Sequence, residues 1–106
     1  MNKVILMGRL VKDPVITYSQ NGKNTCIAKY VLAVDRRKSG NESKADYIMC
    51  VAFAKGAEIT QEYLHKGMKV LVTGRIEVDS YEKDGVKAYS TNVIVEAQEF
   101  IEKLKA

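Results

Sequence analysis

Runs of β-branched and aliphatic residues recur along the whole chain, and only one stretch between them has helical spacing. In the second run, every other residue from Cys26 to Val34 is apolar, which places these side chains on one face of a strand. The dipeptides Asn21-Gly22 and Asp84-Gly85 are hairpin-turn signals, because both residue types tolerate positive φ. The pattern predicts strands at 3–11, 25–35, 47–54, 69–81 and 87–96.

The helical stretch covers residues 57–66, between the third and fourth predicted strands. Ile59 and Tyr63 are four residues apart, and Leu64 adds to the same broad face, so we expect this face to pack on the sheet. Gly67 is a natural helix terminator. Elsewhere, residues 16–18 are extended and the polar residues 36–46 form a flexible loop.

Five strands with one short helix between the third and fourth is the order of an all-β OB-fold barrel. The 106 residues have the size of one domain, which we place at 1–102, with 103–106 as a short C-terminal tail. No apolar run approaches the ~20 residues of a membrane-spanning helix. The apolar run 4–7 is too short for a secretory signal, so a cytoplasmic location is expected.

Catalytic and metal-binding motifs are absent from the sequence. His65 is the only histidine and lies at the predicted helix end, where its charge suits the helix C-terminus. Cys26 and Cys50 lie in apolar stretches and are predicted to be reduced core residues, too few for a four-cysteine metal site. Glu77 and Asp79 share a strand face, which we interpret as solvated. We predict no enzyme activity, no cofactor and no metal.

Aromatic and basic residues of the third strand indicate binding to single-stranded nucleic acid. Such a ligand needs a positive groove and aromatic planes, each base stack contributing ~1–3 kcal/mol. Tyr47 and Phe53 share one face and are about 20 Å apart at ~3.3 Å per residue, with Lys55 following on the same parity. Tyr81 lies on a polar face beside the Asp-Gly turn and should face water. Each ring could instead be a core residue.

The remaining tyrosines are predicted to be structural. Tyr30 and Tyr63 fall on apolar faces of a strand and of the helix, and Tyr18 lies next to the Asn-Gly turn. Tyr89 shares parity with Val93, which favours the core or an interface. The net charge of +4 fits a polyanionic partner but is weak evidence alone, because many enzymes are equally basic.

Several short pieces of the sequence occur in a recognisable order. In this order and at this spacing they resemble the bacterial single-stranded-DNA-binding protein family, over about residues 1–102. The pieces are Asn2-Lys3-Val4-Ile5-Leu6-Met7-Gly8-Arg9-Leu10 with Asp13-Pro14, Tyr18 with Asn21-Gly22, Leu32-Ala33-Val34, residues 47–55 and 62–67, Gly74-Arg75-Ile76 and Ser80-Tyr81.

The resemblance implies a non-catalytic protein that coats and protects single-stranded DNA, largely independently of sequence, in replication, recombination and repair. It implies a homotetramer, with a dimer as the alternative. Tyr47, Phe53 and Tyr81 fall where the family stacks bases, and Lys38 falls where a further aromatic residue is common. The expected DNA-binding residues are Tyr47, Phe53, Tyr81, Lys55, Lys66, Arg36, Arg37, Lys38, Lys83 and Lys87.

The chain also departs from the family pattern. Glu77 and Asp79 stand at positions that are often basic in the family, where they would repel phosphate. The last residues include Lys103 and Lys105 in place of an acidic tip, so recruitment of proteins through a tail is not expected. The acidic pair Glu77 and Asp79 and the missing aromatic ring at Lys38 leave open an alternative, an OB-fold protein-interaction or primosome-type accessory subunit. RNA binding is a third, weaker hypothesis.

Overall fold

The structure is a computed structural model that describes residues 1–20, 24–37 and 44–101. In these ranges the chain forms six strands and one helix. The elements are β1 (Val4–Leu10), β2 (Val15–Tyr18), β3 (Cys26–Asp35), β4 (Ala45–Phe53), α1 (Lys55–Tyr63), β5 (Lys69–Lys83) and β6 (Val86–Phe100). The predicted strands are confirmed, β6 extends four residues further than expected, and β2 is a strand in its own right.

Five of the strands close into a ring in the order β1, β5, β6, β4, β3 and back to β1, while β2 extends the sheet beyond β3. The β4–β6 pair is parallel and the other pairs are antiparallel. The ring closes through only two residue pairs between β1 and β3, Arg9 with Ala33 and Leu10 with Leu32. With the helix between β4 and β5, this topology confirms the predicted fold class.

Glycine is required where β1 crosses β3. A Cβ atom on Gly8 would lie 2.5 Å from the carbonyl oxygen of Ala33, closer than any side chain tolerates. The backbone of Gly74 likewise meets the carbonyl of Ile94, at the register shift in the β5–β6 pair. Both glycines therefore allow backbones to approach where the sheet bends to close on itself.

The core lies inside the ring and is built from alternate residues of each strand. Leu32 from β3, Cys50 from β4 and Val72 from β5 are fully buried there. The predicted apolar face of β3 is confirmed, because Cys26, Ala28, Tyr30 and Leu32 are buried and Val34 is half-buried. Both cysteines are buried free thiols, as the sequence indicated.

The helix packs on the sheet mainly through small residues, and of the predicted apolar face only Leu64 is buried. Ala57 and Thr60 are fully buried, whereas Ile59 and Tyr63 are 38% and 43% exposed. Small side chains on the inner face let α1 lie close to the sheet, and Leu64, just after the helix, completes the buried contact. The helix also begins and ends earlier than predicted.

The β5–β6 hairpin is paired from Val70 with Phe100 to Lys83 with Val86, and its outer half extends beyond the core. Asp84 and Gly85 both have positive φ, of 54° and 77°, as the predicted two-residue turn requires. β2 and β3 also form an antiparallel hairpin, but its predicted Asn21-Gly22 turn lies outside the described residues. Within the described ranges, no helix has the length and apolarity to cross a membrane.

Candidate nucleic-acid interface

A shallow cavity of about 250 Å³ lies on the outer face of the sheet, opposite the core. We call it the trough. Its floor is formed by two apolar residues, Val51 of β4 and Ile94 of β6, which are register partners in adjacent strands. Phe53 lies beside this floor at the end of β4 and is 45% exposed. The residues that define the trough are Lys29, Val51, Phe53, Glu77, Asp79 and Ile94, with Ile27 and Asn92 completing its lining.

The second ring of β4, Tyr47, lies on the same outer face as Phe53, as the sequence predicted. Strand alternation turns Cys50 into the core and Tyr47, Met49, Val51 and Phe53 outward. Tyr47 is 69% exposed. It is the register partner of Ala33, which in turn pairs with Arg9 of β1. The two exposed rings therefore lie at opposite ends of one strip of outer surface.

Tyr81 of β5 extends the outer face along the hairpin. It shares the face of Asp79 and is 50% exposed, which confirms the prediction that it faces water. Tyr89 is 63% exposed on the opposite face of the hairpin, so a place in the core is wrong for it. Strand alternation correctly placed Tyr89 on the face of Val93. The ring is exposed all the same, because the hairpin extends past the core at this point. The Nζ of Lys87 lies 5.9 Å from the centre of the Tyr89 ring.

The two basic residues expected near Tyr81, Lys83 and Lys87, lie on opposite faces of the hairpin. Lys83 is two residues from Tyr81 on the same strand and shares its outer face. Ala88 is the register partner of Tyr81, so the neighbouring Lys87 points to the other face. Only Lys83 of this pair lies on the face of the trough.

The base of the 36–46 segment holds an ion pair. Nη2 of Arg36 donates to Oδ1 of Asp46 at 2.7 Å, and Nε donates to the same oxygen at 2.9 Å. This hydrogen-bonded guanidinium lowers the pKa of the Asp46 carboxyl. The charge of Arg36 is thus already compensated, whereas Arg37 is exposed next to it. Lys38 lies outside the described residues.

Lys55 and Lys66 lie away from the trough. The chain turns at Ala54, which has φ of 55°, so Lys55 begins α1 and the predicted continuation of the strand face is wrong. Lys55 lines a separate groove between the helix and Glu96 of β6. Lys66 follows α1, and its backbone N–H donates to Oδ1 of Asp13 at 2.8 Å.

Lys29 and Asn92 also line the trough, although neither was predicted as a site residue. Lys29 is the register partner of Val51, next to the strand end that carries Phe53. The signal was present in the sequence, since Lys29 is a charged residue between the buried Ala28 and Tyr30 and must point outward. Asn92 had no such signal, because its place depends on the register between β5 and β6.

The two carboxylates of the trough differ in their partners. Glu77 accepts a hydrogen bond of 2.8 Å from Nη2 of Arg75, and Nη1 of Arg75 lies 3.7 Å from Glu96. Asp79 has no hydrogen bond or ion pair with the part of the chain that the structure describes. Among the residues that the structure describes, the trough therefore carries one cation without an ion-pair partner, Lys29, and one such anion, Asp79.

This arrangement suits binding more than catalysis. An exposed ring beside an apolar floor can stack a base, and a neighbouring ammonium group can contact phosphate. Across residues 1–20, 24–37 and 44–101, no group of three His, Cys, Asp or Glu side chains is placed to hold a metal ion. The trough is open and shallow, as expected for a polymeric ligand that passes across it.

Comparisons with known proteins identify a family and several relatives of this chain. The model of the single-strand binding protein family matches residues 1–101. The single-stranded DNA-binding protein of Clostridium perfringens is 44% identical over 103 residues, which cover 96% of this chain and 67% of that protein. Single-stranded DNA-binding protein 2 of Clostridium acetobutylicum is 47% identical over 105 residues, which cover 96% of this chain and 77% of that protein. The single-stranded DNA-binding protein of Bacillus cereus is 43% identical over 105 residues, which cover 96% of this chain and 61% of that protein. The chain belongs to the single-strand binding protein family.

Proposed function

We propose that this chain binds and protects single-stranded DNA in replication, recombination and repair, without catalysis and largely independently of sequence. The observation that carries the proposal is the pair of exposed rings, Tyr47 and Phe53, on one outer strip of the sheet beside the trough. The names of the matched relatives support the same ligand. They give no comparable support to the alternative of a primosome-type accessory subunit.

In the proposed complex, bases stack on Phe53, Tyr47 and Tyr81, while Lys29 and Lys83 contact phosphates on the same outer face. Arg37 would contact the strand beyond the Tyr47 end, and Lys38, which follows it in the sequence, is proposed as a further contact. Lys55, Lys66, Lys87 and Arg36 contribute only where the DNA continues around the domain, because they lie on other faces or are already ion-paired.

We also propose that the chain acts in the cytoplasm as a homo-oligomer, a tetramer in preference to a dimer. Ile5 and Met7 of β1 are 65% and 48% exposed on the outer face of that strand. Pairing of β1 with β3 includes only Arg9 and Leu10, so the rest of that edge has no strand neighbour in the described ranges. A second copy could pair with this edge and cover these side chains.

The test is a titration with oligo(dT) followed by tyrosine fluorescence, since the chain has six tyrosines and no tryptophan. Stacking on Tyr47 and Tyr81 should change their emission. The affinity should fall steeply as salt rises, because bound phosphates release counterions. Duplex DNA and matched RNA of the same length serve as competitors. A protein that leaves oligo(dT) unbound at low salt contradicts the proposal.

A further inference from the structure

We infer that Arg75 is a second phosphate-binding residue of the trough, and that the bound strand draws it away from its ion pair with Glu77. The inference rests on the proposed function, since it assigns a further contact to the same strand of DNA. In the free protein, Glu77 then acts as an internal competitor that occupies the place of a phosphate.

The register of four neighbouring strands places one cation at each end of the apolar floor. Lys29 of β3 is the partner of Val51, and Arg75 of β5 is the partner of Ile94. Val51 and Ile94 are partners of each other, so the four residues form one row across the sheet. Partners in adjacent strands point to the same face, which is here the outer face of the trough. At ~4.8 Å per strand, the backbones of Lys29 and Arg75 are about 14 Å apart.

This row suits a strand of DNA that crosses the sheet. A base that stacks on Phe53 would lie over the apolar floor, where its ring is removed from water. The phosphates on either side of that base cannot lie on the floor, because burying an unpaired charge is costly. They would extend toward the two walls, where Lys29 and Arg75 are placed. The planar guanidinium of Arg75 can hold two oxygens of one phosphate at once.

Arg75 is held only weakly in the free protein. Its Nη2 donates to Oε2 of Glu77 at 2.8 Å, and its Nη1 lies 3.7 Å from Glu96. The side chains of all three residues are between 41% and 47% exposed, so water screens both pairs. Glu96 also lies 3.6 Å from Nζ of Lys3, and it keeps this cation when Arg75 turns toward a phosphate.

Arg75 could instead stay paired in the complex and only neutralise Glu77. The two roles differ in how the effects of two substitutions combine. Under neutralisation, removing the Glu77 carboxylate relieves the same repulsion of phosphates whether or not Arg75 is present. Under competition, removing it also frees Arg75 for the phosphate, so the gain in affinity is larger when Arg75 is present. A double-variant cycle measures this difference directly.

The experiment measures the affinity for end-labelled oligo(dT) of about 16 nucleotides, the upper end of the site size of one OB fold. Fluorescence anisotropy is followed for the unmodified protein, Arg75→Gln, Glu77→Gln and the double variant. A control cycle uses Asp79→Asn in place of Glu77→Gln. Asp79 lies on the same wall of the trough but four residues along β5 from Arg75, about 13 Å away and beyond the reach of an ion pair.

Glu77→Gln should strengthen binding about two- to fivefold more when Arg75 is present than when it is replaced, the fold-change that one exposed ion pair is worth. Asp79→Asn should strengthen binding by the same factor in both backgrounds. Arg75→Gln should also reduce the slope of log affinity against log salt by about 0.7, as expected for one lost phosphate contact on a single strand.

Equal gains from Glu77→Gln in the two backgrounds, or an unchanged salt slope in Arg75→Gln, would overturn the inference. If the unmodified protein leaves oligo(dT) unbound at low salt, the proposed function itself has failed, which is a separate outcome.

Discussion

Phe53 and Phe100 are the only phenylalanines of the chain, and their exposed fractions are similar, at 45% and 42%. Their surroundings differ. Phe53 lies at the trough, whereas Phe100 packs edge-on against Tyr63 near the helix, with 5.9 Å between ring centres. Equal exposure with different neighbours makes the two residues a matched pair for separating ligand stacking from internal packing.

Replacing Phe53 with alanine should weaken binding to oligo(dT) by about 1–3 kcal/mol, the contribution of one stacked base. Phe100→Ala should leave the affinity unchanged, because its ring faces the helix. Both variants are measured by titration alongside urea denaturation. Loss of stability in Phe53→Ala with unchanged affinity of the folded protein would assign Phe53 to packing instead.

Cys50 should make the protein less stable at alkaline pH. Burial raises the pKa of its thiol to about 12, against about 8.5 in an unfolded chain. Between these values the unfolded chain releases the proton and the folded chain keeps it. The free energy of unfolding therefore falls as pH rises, by at most ~1.4 kcal/mol per pH unit.

The measurement is the urea midpoint from neutral pH to about pH 10, where tyrosine ionisation begins in unfolded chains. Cys50→Ala should flatten this pH dependence, even though it lowers stability at neutral pH by removing a buried side chain. An unchanged slope in the variant would show that the thiol is not the group responsible.

At the scale of elements, α1 is attached to the sheet through Gln98 of β6. Its Oε1 accepts a hydrogen bond of 2.6 Å from the Tyr30 hydroxyl and lies 3.0 Å from the Thr60 hydroxyl. Its Nε2 donates to the carbonyl of Gly56 at 3.1 Å. One side chain thus joins β3, β6 and the helix.

Gln98→Leu should lower the free energy of unfolding by about 1–3 kcal/mol, because the hydroxyl of the buried Tyr30 loses its acceptor. Adding Tyr30→Phe removes that unpaired hydroxyl, so the double variant should lose less than the sum of the single losses. Urea denaturation of the four proteins measures this cycle. Strictly additive losses would mean that the hydrogen bond contributes nothing measurable.

Sequence reasoning worked best where a pattern is local. Alternation identified the inward face of β3 and placed Tyr47 and Phe53 on one common face, and Asp84-Gly85 identified the hairpin turn. It failed where tertiary packing decides the result: hydrophobicity favoured Ile59 as the packing residue, while the helix buries the smaller Ala57. The trough could not be predicted, because it depends on register between strands that are distant in sequence.

At the scale of the whole molecule, we predict that the exposed face of β1 is a contact between copies. Ile5→Asp should lower the molecular mass measured by sedimentation equilibrium toward the 11.9 kDa of one chain. Val15→Asp is the control, since Val15 is 63% exposed on β2 and Ile5 is 65% exposed on β1. Wild-type protein that sediments at the mass of one chain at two concentrations contradicts the prediction.

The closed ring also has a consequence for synthesis on the ribosome. Within this domain β1 is made before the other strands, but six of its residues pair with β5, with Val4 opposite Gly74. Until β5 and β6 have emerged, the growing chain has only an open sheet, and Leu32 and Cys50 lack the neighbours that bury them. Folding is therefore expected only after nearly the whole domain has been translated, and a nascent chain stalled before β6 should remain sensitive to protease.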